Sequence, residues 1–269
     1  MKAVTWHGKR DVRVESVPDP KIQQPTDAII EVTSTNICGS DLHLYEILGA
    51  FMKPGDILGH EPMGIVREVG GETGDLRVGD RVVIPFQISC GSCYMCDKRL
   101  YTQCETTQVR DQGMGAALFG YSELYGEIPG GQAELLRVPQ AQFTHIKVPA
   151  GPPDSRFVYL SDVLPTAWQA VAYADIPDGG TVAVLGVFGG VVDKFPLGAV
   201  MNKGLTLRSA QQHGQRYIPM LLERMAVGRI STAHLATHRM PLSAGPRAYE
   251  LFRHRLDGCV RAVLHPQES

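Results

Sequence analysis

The sequence predicts a mixed β and α/β fold. Three observations predict it: short β-prone runs between Gly and Pro over the first ~150 residues, a helical stretch from Pro165 to Ala174, and the wholly apolar, β-branched run Thr181 to Leu185 after it. In the first region, Ala28 to Thr33, Gly64 to Val69, Arg81 to Pro85 and Glu134 to Val138 read as strands of a β-rich domain with long loops. Thr181 to Leu185 has the composition of a strand buried on both faces, which marks entry into an α/β region. A Gly-rich loop (Gly186 to Gly190), a short helix (Leu197 to Asn202) and a strand (Leu205 to Ser209) follow. Tyr217 to Val227 reads as an amphipathic helix whose Met220, Leu221, Leu222 and Met225 face a core rather than a ligand. Beyond Pro241 the tail offers a helix near Gly245 to Arg255 and a last strand, Val260 to Leu264; no repeat or low-complexity segment interrupts the pattern.

With 269 residues, 43% of them hydrophobic and 20% charged, the chain is long enough for one large core or two small ones and is not disordered. Its 26 Lys and Arg against 28 Asp and Glu leave a net charge of −2, so nothing electrostatic calls for nucleic acid or an anionic membrane as partner. Gly179 to Val192 is uncharged, but it is Gly-rich and falls short of the ~20 apolar residues of a membrane span. Met1 to Pro20 contains no apolar signal-peptide core, so a cytoplasmic location is expected. There the six cysteines stay reduced and serve as metal ligands or buried thiols.

Four of them, Cys90, Cys93, Cys96 and Cys104, stand in a Cys-x2-Cys-x2-Cys-x7-Cys array. Two-residue gaps let successive thiolates turn onto one cation, and four sulfurs close a tetrahedral shell with no open position, as a structural zinc requires. An iron–sulfur cluster is the competing reading, disfavoured because no Pro follows the last cysteine and no second array exists. The loop has little apolar residue of its own, so it is expected to be disordered without metal.

A second constellation gathers Cys38, Ser40, Asp41 and His43 within six residues, followed by Gly59-His60-Glu61-Pro62-Met63-Gly64. Each alone is weak, since a buried Cys is commonly a small hydrophobe. Cys-Gly-Ser-Asp-x-His, then Gly-His-Glu-x-x-Gly, then the four-cysteine loop together resemble the zinc-dependent alcohol dehydrogenases of the medium-chain dehydrogenase/reductase family, nearest to the formaldehyde dehydrogenase-like branch. The resemblance covers nearly the whole chain, including Leu160-Ser161-Asp162-Val163-Leu164-Pro165-Thr166. It implies a GroES-like β-rich catalytic domain over residues 1–172 and 242–269, with a reduced Rossmann-like remnant over 173–241.

The same resemblance implies one catalytic and one structural zinc. Cys38, His60 and Asp162 would be ligands of the catalytic ion, with Glu61 a direct or alternating fourth. Such a site leaves a position for an alcohol oxygen, whose pKa the zinc lowers. Ser40 and His43 would carry the proton outward, and Asp41 would orient His60; an Asx turn at Asp41 competes with that role and can coexist with it. The implied partners are a small alcohol or aldehyde, NAD as hydride acceptor and further copies of the chain in a dimer or tetramer.

The nucleotide side is reduced. The fingerprint Gly-x-Gly-x-x-Gly, with an acidic residue about twenty positions on, is absent after Leu185, where the chain reads Gly186-Val187-Phe188-Gly189-Gly190 and Pro196 ends any long helix. About seventy residues lie between Tyr173 and Pro241, against on the order of 130 for two βαβαβ halves. By resemblance, Gly186 and Val187 match the loop beside the nicotinamide ring, while Thr166 and Arg261 fall near the cofactor; a packed helix residue and a surface charge are the plain alternatives for the last two. Loss of the pyrophosphate-binding helix end weakens NAD binding. The shortened sheet also exposes an edge that invites self-association, through Leu205 to Ser209.

The expected function is zinc-dependent alcohol or aldehyde oxidation with impaired cofactor binding. The alternatives are a redox-inactive zinc-binding domain and zinc-hydroxide hydrolysis or hydration on the same scaffold. Leu48, Phe51, Phe86 and Phe119 are expected around the substrate. His234 and His238 are spaced for a helical metal pair but lack a nearby Cys or carboxylate, Cys259 reads as a buried thiol, and the sequence leaves the place of His213 open.

Overall fold

The computed structural model describes residues 1–174 and 211–268. The chain begins with a hairpin, β1 (Lys2–Gly8) paired antiparallel with β2 (Asp11–Ser16). Most of the rest organises around β3 (Ala28–Asn36), which pairs with β4 (Pro62–Val69), with β6 (Leu135–Val138) and with β9 (Ala262–His265). β5 (Arg81–Val83) and β7 (Ile146–Lys147) extend the seven-stranded sheet beyond β4, and β8 (His238–Pro241) closes the other side in parallel with β9. Seven of the nine β3 residues are buried, as a strand covered on both faces demands.

Strand alternation divides the interior. Val82 of β5 enters one core with Ile30, Val66 and Phe119, while its neighbour Val83 enters another with Met63, Phe157, Tyr159 and Val263. On β9, Ala262 and Leu264 face a third core built on the hairpin, helix α1 (Gly39–Glu46) and the helix Gly245–His254. Helix α2 (Val163–Ala174) and helix α3 (Gly214–Ala226) pack beside each other. On α3, Tyr217, Ile218, Leu221 and Met225 form the buried stripe, with Met220 and Leu222 partly covered at its margins, as the apolar spacing predicts.

The strands and helices expected from the sequence within the described residues all form, with ends shifted by a few residues. The opening hairpin, β7 and β8 are additional to the strands that the sequence predicts. His238 lies in β8, so the helical metal pair it was weighed for with His234 does not form. Gly186 and Val187, the runs Thr181 to Leu185 and Leu197 to Asn202, and the expected self-associating strand Leu205 to Ser209 lie outside the described residues. Among the described residues no helix is long and apolar enough to cross a membrane.

Gly64 is where β3 and β4 approach too closely for a side chain: a Cβ there would collide with the Glu31 carbonyl and reach Val32 Cα at 3.0 Å. Because backbone rather than a flexible side chain must yield, Gly64→Ala is expected to destabilise the fold by about 1–3 kcal/mol, read as a lower urea midpoint at unchanged m.

Candidate metal centres

The end of β3 and the starts of β4 and α2 bring one cluster together. β3 runs into Cys38, the residue that caps α1; His60 and Glu61 immediately precede β4; Asp162 immediately precedes α2. Cys38 Sγ, a His60 ring nitrogen and one oxygen each of Glu61 and Asp162 lie within 4.8 Å of one another, and all four residues are buried. Asp162 Oδ2 is 3.4 Å from Cys38 Sγ and 3.3 Å from His60 Nε2.

Close backbone packing fixes where His60 enters. Gly59 has φ +99° and a Cβ there would sit 2.6 Å from Gln132 N, while a Cβ on Gly120, at φ +57°, would collide with the Gly59 backbone. The ring presents Nε2 to the cluster and turns Nδ1 toward Asp41 Oδ1 at 3.0 Å, an ion-pair distance off a good hydrogen-bond line. Asp41 Oδ2 accepts from Cys38 N at 2.8 Å, so the carboxylate caps the helix and faces the imidazole at once. Gln132 Nε2 reaches the same oxygen at 3.3 Å, and Tyr249 donates to Gln132 Oε1 at 3.0 Å.

Glu61 accepts from Asn36 Nδ2 at 2.7 Å through Oε2; its buried Oε1 has no hydrogen-bond partner and lies 3.6 Å from Arg261 Nη1. Arg261 also donates to Ile37 O at 3.0 Å and its guanidinium stands 5.6 Å from the Phe252 ring centre. Thr166 donates to Asp162 Oδ1 at 2.7 Å. Thr166 and Arg261, the two described residues expected near a dinucleotide, are thus directed at the cluster or at residues that frame it. Ser40 Oγ is 3.0 Å from His60 Nε2, and half-buried His43 lies three residues further along α1, on the same side.

Electrostatics show what the donor set lacks. Burial and the neighbouring Glu61 and Asp162 charges push the Cys38 thiol up to about 11. Burial also raises Glu61, with Asp162 adding to it against Arg261. Burial opposes a charge on His60, yet Asp41 and Asp162 outweigh it and lift its pKa well above the usual imidazole value; Asp162, conversely, is held below the carboxylate range by His60 and Thr166 despite burial. Three buried carboxylates, those of Asp41, Glu61 and Asp162, and a thiol face only one imidazole and the Arg261 guanidinium, so the cluster is short of positive charge, which a divalent cation supplies. Sulfur, nitrogen and carboxylate oxygen are also zinc's own ligand types, so the residues fit that ion.

The second cluster is the four-cysteine loop. Cys93 caps the short helix Tyr94–Asp97, which carries Cys96, and Cys104 follows the turn Tyr101–Gln103. Sγ atoms of Cys90 and Cys96 are 4.0 Å apart and those of Cys93 and Cys104 are 3.9 Å apart, with no disulfide. Four sulfurs about 2.3 Å from a central zinc would be separated by about 3.8 Å, so the spacing is that of a closed tetrahedron. Burial raises the Cys90 thiol, but the Thr106 hydroxyl and backbone N–H groups overcome this and bring it to about 6. The core of this lobe is Cys90, Cys96, Cys104 and Ala116, flanked by Cys93 and Tyr101.

Of the aromatic residues expected around the substrate, Phe86 does meet the His60 ring edge-on, at 6.0 Å between centroids. Phe119 does not: it is wholly buried in the β-strand core, because Gly120 turns the chain and leaves Tyr121 beside His60 instead, at 6.2 Å. Leu48 packs against the hairpin core and Phe51 is exposed. No local sequence pattern singles out Asn36 or Gln132, and for Tyr121 the one such signal is the glycine between it and Phe119.

The profile described as "Alcohol dehydrogenase GroES-like domain" matches residues 24–150. A Bacillus subtilis protein named "Uncharacterized zinc-type alcohol dehydrogenase-like protein AdhB" is 32% identical over 380 positions, which cover 99% of this chain and 100% of that protein. Since this chain has 269 residues, more than one hundred of those positions face a gap. The zinc-type alcohol dehydrogenase-like protein C1198.01 of Schizosaccharomyces pombe is 42% identical over 70% of this chain and 46% of its own length; formaldehyde dismutase of Pseudomonas putida is 38% identical over 69% and 48%. The chain thus spans about half the length of these two relatives. Among solved structures, alcohol dehydrogenase TADH from Thermus sp. ATN1 superposes with a TM-score of 0.85 at 27% identity, covering 98% of this chain and 99% of that one. Zinc dependent alcohol dehydrogenase 2 from Streptococcus pneumonia superposes at 0.80 and 25%, covering 100% and 99%.

Because sulfur and one alanine form the core of the four-cysteine lobe, a strong chelator is expected to open it. Limited proteolysis should then cut between Cys90 and Cys104 at least tenfold faster, and added zinc should restore protection; unchanged protection would exclude a structural metal there.

Proposed function

The chain belongs to the zinc-type alcohol dehydrogenase family, and on that premise we propose that the Cys38, His60, Glu61 and Asp162 cluster is the zinc-holding reaction centre of an oxidoreductase for small alcohols or aldehydes. The observation that carries this reading is the convergence of those four buried donors, from three distant segments, to within 4.8 Å. Zinc bound there supplies Lewis acidity toward a hydroxyl or carbonyl oxygen.

The chain's own residues account for the rest of the site. Asp41, held by Cys38 N and Gln132, keeps the His60 ring turned so that Nε2 faces inward. Oxidising an alcohol to an aldehyde removes a hydride from carbon and a proton from oxygen. Ser40 Oγ beside the cluster, with His43 next on the same side of α1, gives that proton an exit toward water. The edges of Phe86 and Tyr121 wall the imidazole and favour a small, largely apolar substrate. Glu61, between Asn36 and Arg261, is available as a further ligand.

The hydride acceptor we propose is NAD, bound weakly. Thr166 and Arg261 are engaged with Asp162 and with Ile37 and Glu61, and the gap of more than one hundred positions against the Bacillus relative accords with loss of most of a nucleotide domain. That gap also favours a second reading, a zinc-binding domain without redox turnover. Hydrolysis or hydration at the same cluster would likewise need no nucleotide.

Elemental analysis should find two zinc ions per chain, and one in Cys38→Ala. Alcohol-dependent reduction of NAD should fall at least a hundredfold in that variant. If NADH shows no saturable binding up to about millimolar concentration, a dehydrogenase role is excluded and the domain without turnover remains.

A further inference from the structure

The tripeptide Gln211-Gln212-His213 lies between the two metal-type clusters and serves neither directly. On one side it grips the helix that follows Asp162. Gln169, seven residues beyond Asp162 and on the same side of the chain two turns along α2, uses both ends of its carboxamide: Nε2 donates to Gln211 O and Oε1 accepts from His213 N, each at 3.0 Å. Gln212 Nε2 approaches Ser161 O at 3.4 Å, the same carbonyl that accepts from Phe86 N at 3.2 Å. On the other side the His213 ring, wholly buried, sets Nδ1 3.4 Å from Thr102 N and 3.3 Å from Thr102 Oγ1, two residues before Cys104. Burial and Arg216 hold the His213 pKa down at about 4, so the ring is neutral and Nδ1 is free to accept from the Thr102 N–H. Thr102 in turn is fixed within its lobe, where its carbonyl accepts from Ala116 N at 2.9 Å.

We propose that Gln169 and His213 are positioning residues that tie the four-cysteine lobe to Asp162, so that the rigid lobe sets where the third donor of the mixed cluster stands. Asp162 is the donor that most needs such support. Cys38 and His60 are attached to β3 and β4 in the centre of the sheet, whereas Asp162 opens a helix that lies outside it. Removing the strut leaves the carboxylate to be ordered on binding, and support of that kind is worth roughly ten- to a hundredfold in metal affinity. The inference rests on the metal reading of the mixed cluster, and the experiment separates the two.

The probe is cobalt(II), titrated into the full-length apo-protein after its four-cysteine site has been refilled with one equivalent of zinc. In the wild type one cobalt should bind with the visible bands of a site holding one thiolate, distinct from those of a four-thiolate site. In His213→Phe, which keeps the volume and loses the acceptor, its affinity should fall at least tenfold with a shift in those bands. His213→Asn, whose Oδ1 stands near the lost Nδ1, should recover most of the affinity. Gln169→Leu cuts the strut without touching Thr102 and should repeat the loss; it also decides the matter should His213→Phe fail to fold. Unchanged affinity and bands in Gln169→Leu, or an equal loss at the four-cysteine site, would overturn the strut. A wild type that takes up cobalt only with the four-thiolate spectrum would overturn the metal reading and the strut with it.

Discussion

Three buried carboxylates and a thiol facing only one imidazole and one guanidinium form an arrangement that cannot stand neutral and unsupported, and most of the structure is organised by that constraint. The strand ends that deliver Cys38, His60 and Glu61 belong to the middle of the sheet, where hydrogen bonding on both sides of β3 fixes the backbone. Around them stand groups that hold or neutralise charge: Asp41 against His60, Asn36 and Arg261 against Glu61, Thr166 against Asp162. Each would be an expensive buried polar residue by itself; together they are what a divalent ion requires of its surroundings.

The four-cysteine lobe follows a different rule. Its sulfurs are gathered by short turns, and its interior has almost no hydrocarbon to hold it, so the hydrophobic effect contributes little there and a bound metal would supply most of the lobe's order. It nevertheless contacts the rest of the protein through a buried polar seam, Thr102 to His213 to Gln169, instead of an apolar interface. Polar seams are directional where apolar packing is not, and directionality suits a part whose task is to hold a neighbour at a set distance.

The two halves of a dehydrogenase reaction depend on separate pieces of chain. The oxygen and proton side needs a cation, its ligands and a relay, and on the proposed function the ligands and relay would all come from residues before α2. The hydride side needs a cradle for a dinucleotide, which requires a glycine fingerprint at a helix N-terminus and a run of parallel strands. A gap of more than one hundred positions can thin the second without disturbing the first, because Cys38, His60, Glu61 and Asp162 all lie before the end of α2. Arg261 and Thr166 turning toward the cluster accord with that division.

Local patterns in the chain by themselves determined a good deal. The spacing of Cys90, Cys93, Cys96 and Cys104 requires only a few turns to close a tetrahedron, so the sequence suffices to identify it. The β3, β4, β5 and β6 strands and the helices at 163–174, 214–226 and 245–254 were legible because alternation and helical periodicity are local properties. The convergence of Cys38, His60 and Asp162 was legible through family resemblance, which carries long-range information that spacing alone does not. Only the tertiary structure decided that Tyr121 rather than Phe119 stands by His60, that Gln132 and Asn36 buttress Asp41 and Glu61, and that His213 joins the cysteine lobe to the helix after Asp162. Those choices turn on a single glycine at positive φ and on hydrogen bonds between residues up to about 110 apart, where the energy belongs to the folded juxtaposition and to no stretch of sequence by itself.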